Sequence, residues 1–315
     1  FIQRTFNLYC TTNNNYGIAI SFYNHTQMNK QFTLLEWIVL FSLLIFLVIK
    51  SADAKTHTKK HHAIQTYGNI SVMVTDITED KIIHGRNVDQ VRGLASMTKL
   101  MTAMIALDYD MDMNRKLTLS KFTHSGMPKL EYTREELFHM LLIKSDNAAA
   151  ETLANDYPGG RTKFIKDMNL RAEMMGMYNT HFDDPSGLDS GNVSTASDVT
   201  QMVVAAAYYP TIRNISTKKT AIILTQVKRK NRAIVLHNTN TILLSQLDGV
   251  QVSKTGFTNP AGFCVAMLVE KGNDSNIHYE VIVVMGARNP AQRVDTVKRI
   301  VYNDAIGDNY EQSRI

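Results

Sequence analysis

The chain has only two cysteines, Cys10 and Cys264, and a single tryptophan, Trp37. So few thiols exclude a disulfide framework. Cys264 lies in the apolar run Phe263–Val269 and reads as a packed strand residue, not a nucleophile. The apolar run Trp37–Ile49 falls short of the roughly 20 residues that a membrane-spanning helix needs. No basic cluster is interleaved with aromatics, so nothing points to nucleic acid, and Lys228-Arg229-Lys230 reads as a solvated turn between strand-like segments. His57, His61 and His62 stand among lysines without ordered ligand spacing, which suits a mobile basic leader better than a metal site. No internal repeat appears, and no linker divides the chain beyond residue 66.

What is present suits a folded domain: 44% of the 315 residues are hydrophobic and 20% charged. The formal charge of +5 favours encounter with anionic polymers, cell-wall material included. From Met28 a short basic region, the apolar run and Ser51-Ala52-Asp53-Ala54 form a signal-peptide pattern, so residues 28–54 are expected to be cleaved after Ala54. Residues 1–27 read as upstream, non-native or disordered sequence, residues 55–66 as the mobile leader, and 67–310 as one domain. No stable membrane anchor is expected after cleavage, and Cys264 is then the sole cysteine.

Alternation predicts strands at Ser71–Thr75 and from Ile82, then later at 220–225, 233–237, 250–253, 262–269 and 279–285. Between them lies a helical stretch. One helix opens at Ser96, with apolar residues recurring at spacings of three and four. Thr133 to Glu136 is a capping box for a helix running to Lys144. Further helices are expected at 148–154, 162–177, 197–208 (capped by Ser197 or Thr195) and 291–302. Early strands, a helical insert, late strands and a final helix predict an antiparallel sheet covered by helices.

Three short strings then carry chemistry: Ser96-Met97-Thr98-Lys99, Ser145-Asp146-Asn147 and Lys254-Thr255-Gly256. Ser96 and Lys99 share one face of a helix start, where the dipole favours a nearby oxyanion. Lys99 can accept the serine proton only when neutral, and burial together with the like charge of Lys254 would lower its pKa. Ser145 and Asn147 sit at a helix break, where a hydroxyl and an amide can reach a cleft. Lys254-Thr255-Gly256 is expected at a strand end, where glycine admits a substrate backbone and the cation and hydroxyl meet a carboxylate. Taken singly the strings are weak: Ser-x-x-Lys recurs at Ser216–Lys219 and Ser-x-Asn at Ser190–Asn192. Their order, with Ser145 standing 49 positions after Ser96, carries the reading.

Together with Ala95–Ala103, Phe182–Leu188 and Lys254–Thr258, the strings resemble the D-alanyl-D-alanine carboxypeptidase family of low-molecular-mass penicillin-binding proteins. Tyr157–Gly160, Asn192–Ala196 and His237–Asn240 are similar to that family's endopeptidase branch. The resemblance implies an α/β fold of α+β type, β-lactamase/transpeptidase-like, with a five-stranded antiparallel sheet, flanking helices and a helical subdomain. It implies a serine acyl-enzyme on Ser96 with Lys99 as base, Ser145 and Asn147 completing proton and amide contacts, and no metal or cofactor. Lys254, Thr255, Gly256, Phe257 and Thr258 would bind substrate, with the Ser96 and Phe257 N–H groups as oxyanion hole. Arg293 falls where the family tends to place a carboxylate-recognising arginine. Peptidoglycan stem peptides are the implied substrate, β-lactams the covalent inhibitors and the periplasm the location. Only 59 residues follow Gly256, which resembles members without an added β-rich domain and amphipathic anchor.

Two rivals compete. A class A β-lactamase needs a glutamate-activated water in a Glu-x-x-Leu-Asn loop well after the second string. Here Glu151-Thr-Leu-Ala-Asn155 comes too early. A non-catalytic wall-peptide binder would not require Ser96, Lys99 and Lys254 intact.

Overall fold

The computed structural model describes residues 70–109, 112–121, 125–227, 230–273 and 276–302, within the compact unit that begins at His62. The expected signal peptide and the leader to residue 66 lie outside those residues.

The chain begins with β1 (Ser71–Asp76), β2 (Lys81–Arg86) and β3 (Arg92–Gly93), followed by a single 3₁₀ turn at Ala95–Met97 and α1 (Thr98–Asp108). Next come β4 (Lys116–Thr118), β5 (Glu131–Thr133), α2 (Arg134–Leu142), α3 (Asn147–Asp156) and α4 (Gly160–Met174). After these are β6 (Val193–Ser194), α5 (Ala196–Ala207), α6 (Pro210–Ser216), β7 (Thr220–Val227), β8 (Lys230–His237) and α7 (Thr241–Gln246). The chain closes with β9 (Val250–Thr258), β10 (Gly262–Asn273), β11 (Asn276–Ala287) and α8 (Pro290–Val301).

Five strands form the main sheet in the order β2-β1-β11-β10-β9, every pair antiparallel. β1 thus pairs directly with the last strand, with β2 outside it, which ties the ends of the domain together. Alternation along β11 explains why both faces are covered. Val281, Val283 and Met285 join the large core under the helical insert, while Ile282 and Val284 join a smaller core beneath α7 and α8. Apolar on both sides, these strands read as unbroken Val/Ile runs. α5 is the insert's link to the sheet, burying Val199, Met202, Val203 and Ala206 in the large core.

Several expectations hold. The Thr133 hydroxyl accepts from Glu136 N–H, and the Glu136 carboxylate returns to Thr133 N–H, completing the capping box. Thr195, not Ser197, caps α5. Others need correction. The late strands do not all join one sheet: among the described residues β7 and β8 pair only with each other, as a separate ribbon. β9 continues through Thr258, so Lys254-Thr255-Gly256 lies inside a strand and not at its end. Lys271, Gly272 and Asn273, which fall between the expected strands at 262–269 and 279–285, are ladder residues of β10. The short helices α6 and α7 have too few turns to show a period, although Pro210 at the start of α6 is a start signal.

α2 carries the chain into the Ser145 turn, so its cap matters beyond the helix. Thr133→Ala is expected to lower stability by about 1 kcal/mol, read from the urea midpoint at unchanged m-value.

Candidate active site

Ser96 sits in the middle of the 3₁₀ turn, and α1 proper starts two residues later. Met97 N–H donates to Leu94 carbonyl at 3.3 Å, and Leu94 N–H to Asn192 carbonyl at 2.9 Å. Ala95 has φ +47°, a left-handed conformation that costs a non-glycine residue roughly 1–2 kcal/mol. Two glycines let neighbouring backbone grip this turn. A Cβ at residue 187 would fall 1.9 Å from the Ala95 carbonyl oxygen, and one at 256 would stand 3.0 Å from both Leu94 O and Ser96 N.

Lys99, in the first turn of α1, is 0% exposed. Its Nζ donates to Ser96 Oγ at 2.9 Å, Asn147 Oδ1 at 2.7 Å and Ser186 carbonyl at 2.6 Å. Three acceptors exhaust the three protons of an ammonium. Burial pushes the Lys99 pKa down to about 7, against the opposing pull of Asp184, Asp146 and Glu151. Desolvation therefore outweighs three carboxylates. The sequence argument also assigned part of this lowering to Lys254, but it is Lys254 that is lowered by the like charge of Lys99.

Asn147 and Ser145 are positioned by the abrupt junction between α2 and α3. Asp146 N–H turns back to Met140 carbonyl at 2.9 Å, and the Asp146 carboxylate caps α3 by accepting from Ala149 N–H at 3.0 Å. Because Asp146 does the capping, Ser145 is released from that role. It adopts φ +60° and accepts from Lys254 Nζ at 2.9 Å. Lys254 is buried at the centre of β9, also donates to Thr255 carbonyl at 2.9 Å, and is held well below the usual lysine range by burial, Lys99 and Arg293. Two lysines thus meet two serines, with Asn147 between the helices.

The other expected residues fall at varying distances from this cluster. Thr255 is buried and donates to Thr239 Oγ1 at 2.6 Å. Phe257 is exposed and stacks on Phe263 with ring centroids 4.1 Å apart. Thr258 Oγ1 accepts from Ala261 N–H, which closes the β9–β10 turn. Arg293 is only 8% exposed and its buried Nε has no partner among the described residues. Arg288, its neighbour in sequence, is exposed.

Sequence reasoning missed the loop that holds the Lys99 acceptor. Asp184 is buried, and its carboxylate accepts from the backbone N–H of Ser186, Gly187, Leu188 and Asp189. Asn192 accepts from Asp183 and Asp184 N–H and donates to Thr98 Oγ1 at 3.1 Å. These bonds fix the carbonyl of Ser186 on Lys99. The available signal was Asp183-Asp-Pro-Ser-Gly187, a polar turn within the Phe182–Leu188 stretch of the family resemblance, to which no contact with Lys99 was assigned.

Sheet order, helical cover and this serine–lysine geometry define a serine enzyme of the penicillin-binding fold. The model of the D-alanyl-D-alanine carboxypeptidase family matches residues 55–289, and the chain belongs to that family. It is 36% identical over 242 residues to the D-alanyl-D-alanine endopeptidase of Escherichia coli strain K12, covering 72% of this chain and 76% of that one. Among solved structures, the Streptomyces K15 DD-transpeptidase superposes with a TM-score of 0.68 at 25% identity, over 77% of this chain and 100% of its own. Penicillin-binding protein D2 of Listeria monocytogenes, in its ampicillin-bound form, gives 0.65 at 26% identity, over 76% of this chain and 98% of its own.

The grip on Ala95 has a direct check. Gly187→Ala adds a Cβ against backbone at φ +83°, whereas Gly176→Ala at φ +75° meets nothing within 4 Å. The first is expected to cost about 3 kcal/mol or more and the second about 1 kcal/mol, both read by urea denaturation.

Proposed function

We propose that this serine-type D-alanyl-D-alanine peptidase is exported to the periplasm, where it hydrolyses D-alanyl bonds of peptidoglycan stem peptides through an acyl-enzyme on Ser96. In this reading its principal bond is the cross-bridge between two stem peptides. The observation that carries the chemistry is Lys99 Nζ, fully buried and 2.9 Å from Ser96 Oγ. Near neutrality a large fraction of this amine is unprotonated and able to take the serine proton as Oγ attacks the D-alanyl carbonyl.

The remaining steps follow from neighbouring groups. Backbone N–H groups of Ser96 and Phe257 stabilise the oxyanion. The proton passes to the leaving nitrogen through Ser145, whose hydroxyl is held by Lys254. Asn147, accepting from Lys99 through Oδ1, keeps its Nδ2 as a donor to a substrate amide carbonyl. β9 is an edge strand in the described sheet, which supports binding of an extended D-alanyl peptide along it. Lys254, Thr255 and Arg293 supply positive charge and a hydroxyl for its carboxylate, while Gly256 gives the backbone room. Phe257 and Thr258 line the outer end. Hydrolysis by water then frees Ser96.

The bond preference is supported by 36% identity to a D-alanyl-D-alanine endopeptidase. Export rests on the signal-peptide pattern of residues 28–54, and no helix among the described residues is long and apolar enough to cross a membrane. β-Lactams act here as covalent inhibitors that mimic the D-alanyl terminus, as the ampicillin complex of the Listeria protein supports. The β-lactamase reading is disfavoured because Glu151 is buried and paired with Arg161 at 2.8 Å, so its carboxylate is not offered to a water on the acyl-enzyme.

Cross-linked muropeptides and pentapeptide monomers given to the chain from Lys55, with products weighed by mass spectrometry, are expected to show loss of dimers. Loss of terminal D-alanine alone refutes the cross-bridge preference, and Ser96→Ala should abolish cleavage of both. Acylation by penicillin should accelerate as pH rises through about 7, because deprotonation of Lys99 creates the base, and level off above it. A rate flat from about pH 5 to 9 would exclude Lys99 as that base.

A further inference from the structure

Charge is unevenly distributed along this chain. Residues 199–247 contain none of its 29 aspartates and glutamates, yet carry seven of its 34 lysines and arginines. In the middle of that stretch stands the β7–β8 ribbon, paired to no other strand. One face of the ribbon is accounted for: Ile223 and Leu236 are buried in the large core, and Ala221 and Ile234 pack against it. The opposite face is not. Ile222 is 62% exposed, Leu224 76% and Val235 47%, and the register sets Ile222 beside Val235 and Leu224 beside Ala233. A solvated ribbon carries polar residues at such outward positions, because a contiguous apolar strand face in water invites association.

We propose that the outer face of the β7–β8 ribbon is a peripheral docking surface for an anionic phospholipid bilayer. Two signals coincide here that a bilayer interface reads together: exposed aliphatic side chains and cations with no acidic neighbour in sequence. Lys218 and Lys219 lie exposed at the base, and Lys230 and Arg232 toward the turn. Lys230 and Arg232 belong to the other face by register, but their long stems let the charged ends flank the apolar one. An anionic sugar or peptide polymer would engage the cations and leave Ile222 and Leu224 in water. The depth of insertion is bounded by the backbone. Each strand pairs on one edge only, so its outer N–H and C=O groups must stay among headgroups. The contact is therefore interfacial and reversible. β8 ends at His237, two residues before Thr239, which bonds Thr255 beside Lys254. Docking would hold the active-site cleft close to the leaflet.

The surface owes nothing to the acylation chemistry, so the two readings fail independently. The test uses the chain from Lys55, which contains the entire compact unit from His62 and omits the apolar run at 37–49. It should co-sediment with phosphatidylglycerol/phosphatidylcholine vesicles at low salt, and weakly with phosphatidylcholine alone. Binding should fall at least about tenfold in Ile222→Ser/Leu224→Ser and in Lys230→Glu/Arg232→Glu. Penicillin acylation should stay at the parental rate in both, which shows that they are folded. No binding by the parent overturns the proposal, as does equal binding by the serine variant, which would mark a purely electrostatic contact. Binding of a protein partner through the ribbon without vesicle binding overturns it as well.

Discussion

Lys99 cannot be buried as a cation without answering each of its protons. An isolated charge removed from water costs several kcal/mol even after relaxation, so a lysine at 0% exposure must find acceptors or lose its charge. This site does both in part. Ser96 Oγ, Asn147 Oδ1 and the Ser186 carbonyl converge on Nζ from three separate stretches of chain. Three carboxylates favour the charged form from further off, and burial still brings the pKa to about 7. The amine is thereby poised between ammonium and base. The surrounding architecture can be read as the means of keeping that balance.

The consequences spread outward. To present its carbonyl, Ser186 needs a loop wound around the buried Asp184 carboxylate, and Asn192 locks that loop to Thr98 in α1. To present its amide, Asn147 needs α3 to begin immediately after α2 ends, which forces Ser145 into a left-handed conformation. To present its hydroxyl, Ser96 needs a tight 3₁₀ turn with Ala95 also left-handed. Ala95 and Ser145, both left-handed, therefore each lie within two positions of a residue that accepts from Lys99 Nζ. Strain of this kind persists only where the surroundings over-determine it. Here Gly187 and Gly256 supply the determination by letting two backbones close on the Ala95 turn. The main sheet contributes rigidity: Lys254 projects from a strand laddered along its length to β10, so the second cation cannot drift from Ser145.

How much of this the sequence disclosed depended on the range of the interaction responsible. Local signals read well: the Thr133–Glu136 box, the 3–4 spacing of α1 and the alternation within the early and late strands are all properties of neighbouring residues. Ser96, Lys99, Ser145, Asn147 and Lys254 were legible because their strings have fixed spacing. Asp184 and Asn192 were not, since a polar turn gives no local sign that its carbonyl will land on a lysine 87 residues away. The burial of Arg293 was not legible either, because an arginine in an amphipathic helix ordinarily faces solvent and its burial depends on the sheet beneath α8. The strand-end reading of Lys254 failed for a related reason. Glycine at 256 looks like a terminator, yet β9 ladders through it to Thr258, and the missing side chain lets the Ser96 turn approach closely.

The chain's own decoy isolates what turns such a string into chemistry. Ser216 and Lys219 repeat the spacing of Ser96 and Lys99 at the end of α6. Ser216 is fully buried and accepts from Ser253 N–H at 3.3 Å, so its oxygen serves the packing of β9 and is closed to any substrate. Lys219 lies exposed at the start of the ribbon. The burial is inverted: hydroxyl inside and amine outside, where the active pair has the amine fully inside and the hydroxyl at the cleft. Serine and lysine three residues apart are therefore not enough. What the decoy lacks is the desolvated lysine that the proposed mechanism requires, and the Asp184 loop and the α2–α3 junction supply the acceptors that let Lys99 be buried.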